Sequence, residues 1–363
     1  MRQDSIRFLE TLINTPSPSG QEMRGQAVWL DYVRQFAEET FTDHYGNAVA
    51  ILNKGGTPRL MLAAHADEIT MAVNYITEKG FIYVRRQGGI DPAITKAQRV
   101  LIHTQKGSIR GVVGNVAPHL TKANAERKLP RIHDLFIDIG ASNRKQAQQM
   151  VRIGDTITID RGFERMGENL AVARAFDNRA GTFAVAEALR LLKESGGAGS
   201  SLIPEVCVVS NVMEEVGLLG ARQIAYSLNP DIALVVDVTH ATDVPTISKE
   251  QHGDISLGDG PTITRGIGNH PIVVDRLDSV ASKMGLPLQY ETTSSTGGTD
   301  TDVIFWTRGG IPSALISLPD RYMHSPVEMI HLGDLDNIPR LMAGFAESIK
   351  KDEEFKVLIP EIR

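Results

Sequence analysis

The chain has 363 residues, 42% of them hydrophobic and 23% charged, and its 38 Lys and Arg against 44 Asp and Glu leave a formal net charge of −6. This composition is that of a soluble globular protein long enough for two domains, and its scattered basic residues exclude a dedicated nucleic-acid surface. No run approaches the roughly 20 apolar residues of a membrane helix, and the one cysteine, Cys207, rules out an intrachain disulfide or a thiolate-rich metal cage, so that a metal would have to be held by His, Asp and Glu.

The first residues, Met1-Arg2-Gln3-Asp4-Ser5, carry no apolar run of the kind that makes a secretory signal, and with the single cysteine they point to the cytoplasm. Residues 4–15 have helical spacing at Ile6, Leu9, Leu12 and Ile13. Pro16-Ser17-Pro18-Ser19-Gly20 breaks that helix, and a second follows over 21–36. Short strands are expected over 39–43 and 48–52, around a Tyr45-Gly46-Asn47 turn. The run from Leu60 to Ala64 is continuously apolar, as in a strand buried on both faces. His65 and Asp67 stand at its carboxyl end, where open α/β sheets place their ligands, and two apart on an extended chain they share a side. His65 can then meet a metal while Asp67 orients it from behind.

From about Met71 to Thr158 the texture changes to alternating segments over 71–76, 81–85, 99–103, 108–113 and 156–159, punctuated by glycine and charged turns. This reads as a small all-β domain inserted into a larger α/β one, with a further strand at 136–140 and a short helix at 143–151. Residues 120–134 are polar and basic without apolar periodicity, a contact-loop candidate. His103, His119 and His133 are taken as ordinary core or surface histidines.

Asp177 follows in Ala175-Phe176-Asp177-Asn178-Arg179, opening a helix to about Lys193. Alone, that aspartate is as well explained by capping the helix. Residues 194–200 are a plain loop. Residues 205–212 form another buried strand, ending in Met213-Glu214-Glu215-Val216-Gly217 with a helix after it. A third, 232–236, ends in Asp237 with His240 just beyond. Residues 255–264 are short and glycine-rich, 270–284 are helical, and 292–302 form a polar loop. A fourth strand, 312–318, leads to Arg321-Tyr322-Met323-His324-Ser325-Pro326, and 335–350 is the closing helix.

Four buried strands thus end in His65, Glu214-Glu215, Asp237 and the loop of His324, while Asp177 begins a helix. Along the rim of a parallel sheet these groups converge. Two histidines and three carboxylates suit Zn²⁺ or a similar divalent ion. Five ligands exceed one open catalytic site, whereas two metals sharing a bridging carboxylate accommodate them and clamp a hydroxide. One glutamate remains to move the proton.

His65-Ala66-Asp67, Asp177-Asn178-Arg179, Glu214-Glu215-Val216-Gly217, Asp237, Gly298-Thr299-Asp300 and Arg321 to Pro326 resemble, in order, the signature blocks of the tetrahedral co-catalytic zinc aminopeptidases, the group that includes glutamyl aminopeptidases and proteins once labelled endoglucanase. The resemblance implies that Asp177 bridges two divalent ions, Zn²⁺ or alternatively Co²⁺. His65 and Asp237 complete one site, Glu215 and His324 the other. Glu214 is the general base, Asp67 orients His65, and the Asp177–Asn178 peptide is cis. It also implies an α/β catalytic domain over 1–68 and 165–363, built on a mixed, largely parallel sheet with helices on both faces. A β-rich, PDZ-like oligomerisation domain spans 69–164, and dimers assemble into a tetrahedral dodecamer that admits short peptides, without nucleic acid or membrane. Thr301-Asp302 departs from the small apolar residues expected there, which bears on the specificity pocket.

The expected activity is a metal-dependent aminopeptidase. A deacylase or carboxypeptidase on the same di-metal core is the alternative. A glycoside hydrolase using Glu214 and a second carboxylate needs no metal and leaves both histidines without a task. Candidates for the specificity pocket are His252, Arg265 and residues 294–299, with the preferred residue left open.

Overall fold

At the centre of an eleven-stranded mixed sheet, Glu205–Asn211, Arg59–His65, Ile232–His240 and Ser313–Arg321 lie side by side and parallel. The computed structural model describes residues 1–120, 129–196 and 202–359. Parallel strands of this kind are covered on both faces, and the sequence shows why. Leu60, Leu62 and Ala64 point into one core, which the helices Gln3–Asn14, Met23–Val33, Phe176–Ser195 and Leu332–Ser348 cover. Met61 and Ala63 point into a second core, closed by Leu219–Leu228. Among the described residues no helix is long and apolar enough to cross a membrane.

The expectation of a largely parallel sheet holds only for these central strands and the Thr262–Gly266 with Gln289–Thr293 pair. Its flanks are antiparallel: Ala48–Leu52 and Glu39–Thr42 extend one edge, and Glu328–His331, Leu170–Ala173 and Glu164–Met166 the other. Hairpins join Glu39–Thr42 to Ala48–Leu52 and Glu164–Met166 to Leu170–Ala173, which makes these pairs antiparallel. The parallel register brings the carboxyl ends of the central strands to one rim, with Asn211 opposite His65 and Asp237 opposite Ser317.

The region of alternating texture forms a closed six-stranded antiparallel barrel of Thr70–Ile76, Ile82–Gln87, Phe136–Asp138, Gly107–Val113, Arg99–Thr104 and Thr156–Ile159 around its own core. The helix expected at 143–151 is Arg144–Met150. The 120–134 excursion is described only at its ends, where Leu120 and Leu129 are exposed; its middle, 121–128, lies outside the described residues, as does most of the 194–200 loop.

His103 is buried in the barrel, its ring nitrogens 2.8 Å from Thr158 Oγ1 and 3.1 Å from Ser108 Oγ. Burial pushes its pKa down to about 4. Between pH 6.5 and 4 the unfolded chain therefore takes up a proton that the folded barrel refuses, and stability falls with pH, by up to about 3 kcal/mol once the pH is below 4. The stability advantage of the native protein over His103→Gln should shrink as pH drops from 7 to 4.5 in thermal melts. A constant difference would contradict this.

Candidate metal centre

The central rim gathers the sequence-derived metal-ligand and base candidates, His65, Asp177, Glu214, Glu215, Asp237 and His324. His65 ends the Arg59–His65 strand, fully buried, with its Nε2 3.2 Å from Asp177 Oδ1, 3.6 Å from Glu214 Oε2 and 3.7 Å from Asp237 Oδ1. His324 Nε2 lies 3.1 Å from the other oxygen of Asp177, Oδ2, and 3.7 Å from Glu215 Oε2. Asp177 thus faces both histidines with its two oxygens.

Two backbone features aim these groups. Asp177 and Asn178 are non-helical although Phe176–Ser195 is otherwise helical, and the peptide between them is cis. Asn178 Oδ1 accepts from the Gly181 amide at 3.0 Å, so Asn178 caps the helix and the Asp177 carboxylate stays free of that task. Ala175, Met213, Leu218, Tyr322 and His324 all have positive φ between 55° and 65°. A non-glycine residue in this region costs of order 1–3 kcal/mol, and such residues concentrate where a site demands them. Here they flank Asp177, Glu214 and His324.

Asp67 does more than the sequence reading gave it. Asp67 faces His65 Nδ1 with its main-chain oxygen at 3.1 Å and its Oδ1 at 3.3 Å, and that Oδ1 also accepts from the Glu214 amide at 2.9 Å. Its Oδ2 accepts from the Glu215 amide at 3.2 Å and from Ser19 Oγ at 2.7 Å. One buried carboxylate therefore fixes three of the clustered side chains.

Three further supports carried no sequence signal of their own. Glu328 accepts from the Asp177 amide at 3.1 Å and the His324 amide at 3.2 Å. Glu68, beside Asp67, pairs with Arg179 at 2.7 Å and Arg174 at 3.0 Å, which ties the strand end to the start of the helix. The barrel contributes Gly88 and Gly89: a Cβ on Gly89 would sit 2.6 Å from His324 Nδ1, and one on Gly88 would sit 3.3 Å from Glu215 Oε2. Only residues without side chains let that turn close over the two groups.

The electrostatics call for a cation. Burial, then Asp237, Asp300 and Glu215, push Glu214 up to about 11 against the opposing His65. Burial and Asp177 do the same to Glu215, up to about 10. Burial also raises Asp237, whereas His324 and His65 outweigh burial at Asp177 and hold it well below the usual carboxylate range. Carboxylates crowded in this way bind protons unless positive charge stands among them. Buried Glu215 Oε1 has no hydrogen-bond partner. His65 with Asp177 and Glu215, and His65 with Glu214 and Asp237, each offer ligand atoms within 4.8 Å of one another. This oxygen-and-imidazole set fits a divalent metal.

The cluster opens into a cavity of about 380 Å³ walled also by Thr264, Glu291, Gly298, Thr299 and Asp302. Of the candidates for that wall, residues 297–299 line it, whereas His252 and Arg265 do not; Arg265 pairs with Asp278 at 2.7 Å and lies over Tyr290.

Residues 46–341 match the family model for M42 glutamyl aminopeptidases. The chain is 33% identical over 348 residues to a lysyl aminopeptidase of Pyrococcus furiosus, covering 94% of this chain and 97% of the relative. A TET aminopeptidase from a marine sediment archaeon, Thaumarchaeota archaeon SCGC AB-539-E09, superposes with a TM-score of 0.90 at 31% identity, over 95% of this chain and 96% of that one. The Pyrococcus horikoshii TET1 peptidase, which can assemble into a tetrahedron or a large octahedral shell, superposes with a TM-score of 0.84 at 30% identity, over 95% of this chain and all of that one.

Proposed function

Because the chain belongs to the M42 glutamyl aminopeptidase family and is a metal-dependent aminopeptidase, we propose that it removes N-terminal residues from short peptides at a two-ion centre shared by Asp177. His65 and Asp237 hold one ion, Glu215 and His324 the other. The carrying observation is that the two oxygens of Asp177 face one histidine each, at 3.2 and 3.1 Å. Divalent ions held there supply Lewis acidity for the scissile carbonyl, an anchor for the free α-amine and an acidified water.

The chain's own residues do the rest. Glu214 takes the proton of the attacking water and passes it to the leaving amine. It can do so only when ionised, and positive charge among its carboxylate neighbours is what releases the proton that burial otherwise keeps on it. Asp67 holds Glu214 and Glu215 by their amides and fixes the tautomer of His65. By distance alone Glu214 is as close to His65 as Asp237 is, so its role as base rests on the family resemblance. Zn²⁺ and Co²⁺ both suit the donor set.

Residues 1–68 and 165–363 are read as the catalytic unit and 69–164 as an inserted, PDZ-like oligomerisation unit, a reading supported by barrel strands that run from Thr70 to Ile159. Assembly of copies into a tetrahedral dodecamer is supported by the likeness to the TET1 peptidase structures, one of them a dodecamer and one able to form a tetrahedron. The activity is tested with aminoacyl anilides bearing a free or an N-acetylated amine. Release from the free-amine compounds alone is expected; hydrolysis of the blocked ones would point to a deacylase.

A further inference from the structure

Two carboxylates in the cavity wall are not accounted for by the metal centre. Glu291 lies on the Gln289–Thr293 strand, opposite Thr264. Its Oε1 accepts from Thr264 Oγ1 at 2.6 Å and from Ser317 Oγ at 3.4 Å, and its Oε2 from Thr239 Oγ1 at 2.6 Å. Asp302 accepts from the Gly297 amide at 3.1 Å and the Gly298 amide at 2.7 Å. All five donors are neutral. These donors bring no counter-charge. Among the described residues neither group has an ion pair, and the cavity wall contains no Lys or Arg. Burial holds the imidazole of His240, in the same wall, below its ordinary value, so it brings no standing positive charge.

The four carboxylates of the candidate metal centre, Asp177, Glu214, Glu215 and Asp237, would be answered by the ions held there, whereas Glu291 and Asp302 meet no cationic side chain in the same wall. A second observation points to a polar ligand. Thr299 Oγ1 and Thr301 Oγ1 belong to residues of the same wall, are at least nine-tenths buried, and have no hydrogen-bond partner. An apolar substrate side chain would leave the charge of the two carboxylates without a counter-charge in the wall, at a substantial desolvation cost. An ammonium or guanidinium offers several donors and the missing charge.

We propose that Glu291 and Asp302 select a cationic side chain, lysine or arginine, at the N-terminus of the peptide. The proposal rests on the aminopeptidase reading above and names its substrate class. Glu291 and Asp302 are specificity-determining residues and take no part in the proton transfer.

The test compares kcat/KM for lysyl, arginyl, leucyl and glutamyl anilides with the metal-loaded native protein, Glu291→Gln and Asp302→Asn. Lysyl and arginyl substrates should exceed leucyl by roughly 30-fold, the scale of one desolvated charge pair, and glutamyl by more. Each variant should lower the lysyl-to-leucyl ratio, Glu291→Gln by about tenfold or more, chiefly through the lysyl term. Free lysine should also inhibit the native protein more tightly than norleucine, a measurement that needs no variant. A native preference for leucyl or glutamyl substrates, or a ratio unmoved in both variants, would overturn the proposal while leaving the aminopeptidase reading intact. Hydrolysis of none of the four would overturn that reading and the proposal together.

Discussion

Glu214→Gln is expected to lower kcat by about 10²- to 10⁴-fold, the range that one positioned general base contributes, while the protein keeps its fold and its metal content. Glutamine matches glutamate in shape and cannot take a proton. The amide of residue 214 still donates to Asp67, so the segment stays where it is, and removing a carboxylate from so crowded a cluster relieves repulsion there. Metal analysis separates the two roles that distance leaves equal. A base lost by substitution leaves ion binding near its native level, whereas a ligand lost would carry an ion away with it. Full metal content with turnover near the native rate would remove Glu214 from the mechanism.

Asp177→Ala should have the other large effect, and of a different kind. Both oxygens of Asp177 point at a histidine, so one substitution removes the carboxylate that faces both halves of the proposed centre. Metal content should fall toward zero and turnover below detection. A second readout follows from linkage: an ion that binds only the folded chain raises its stability, by about 2.7 kcal/mol at a hundredfold excess over Kd. The native protein should therefore melt at a lower temperature after chelation, while the variant's melting temperature should no longer respond to chelator. A variant that retains both ions would show that Asp177 is not their shared ligand.

Much of this cluster was legible because most of its candidate ligands sit at the ends of strands whose burial is written locally. The runs Leu60 to Ala64 and Val206 to Val209 have no polar break, as strands covered on both faces require, and in a parallel sheet their ends must share a rim. Asp177 was ambiguous, since an aspartate before a helix is also a common cap. Only the fold shows that Asn178 caps instead. The supports were illegible because they act across long separations. Glu68 meets Arg179, and Glu328 meets the Asp177 amide, 111 and 151 residues apart, with no periodicity to announce either pairing. The Gly88-Gly89 turn reads as an ordinary loop until the barrel is seen to press it on His324 and Glu215. One antiparallel flank was expected, as the strands over 39–43 and 48–52; the other escaped notice because strands of three or four residues, such as Glu164–Met166 and Leu170–Ala173, are too short to carry a distinctive pattern.

Arg265 shows how a residue type can mislead. A cation near a substrate pocket suggests recognition of an acidic side chain, yet its guanidinium is taken up by Asp278 and the Tyr290 ring. The carboxylates that do face the cavity, Glu291 and Asp302, are unremarked in the sequence except that Asp302 stands where a small apolar residue was expected.

Dependence of the aminopeptidase on ions held around Asp177 is tested most directly by stripping the protein with chelator and adding back Zn²⁺ or Co²⁺ in steps, following hydrolysis of a lysyl anilide and its N-acetylated counterpart. Hydrolysis of the free-amine substrate should be absent in the stripped protein and return as about two ions bind per chain, with the acetylated compound untouched throughout. Turnover that survives complete metal removal, or that returns equally for both substrates, would contradict the account.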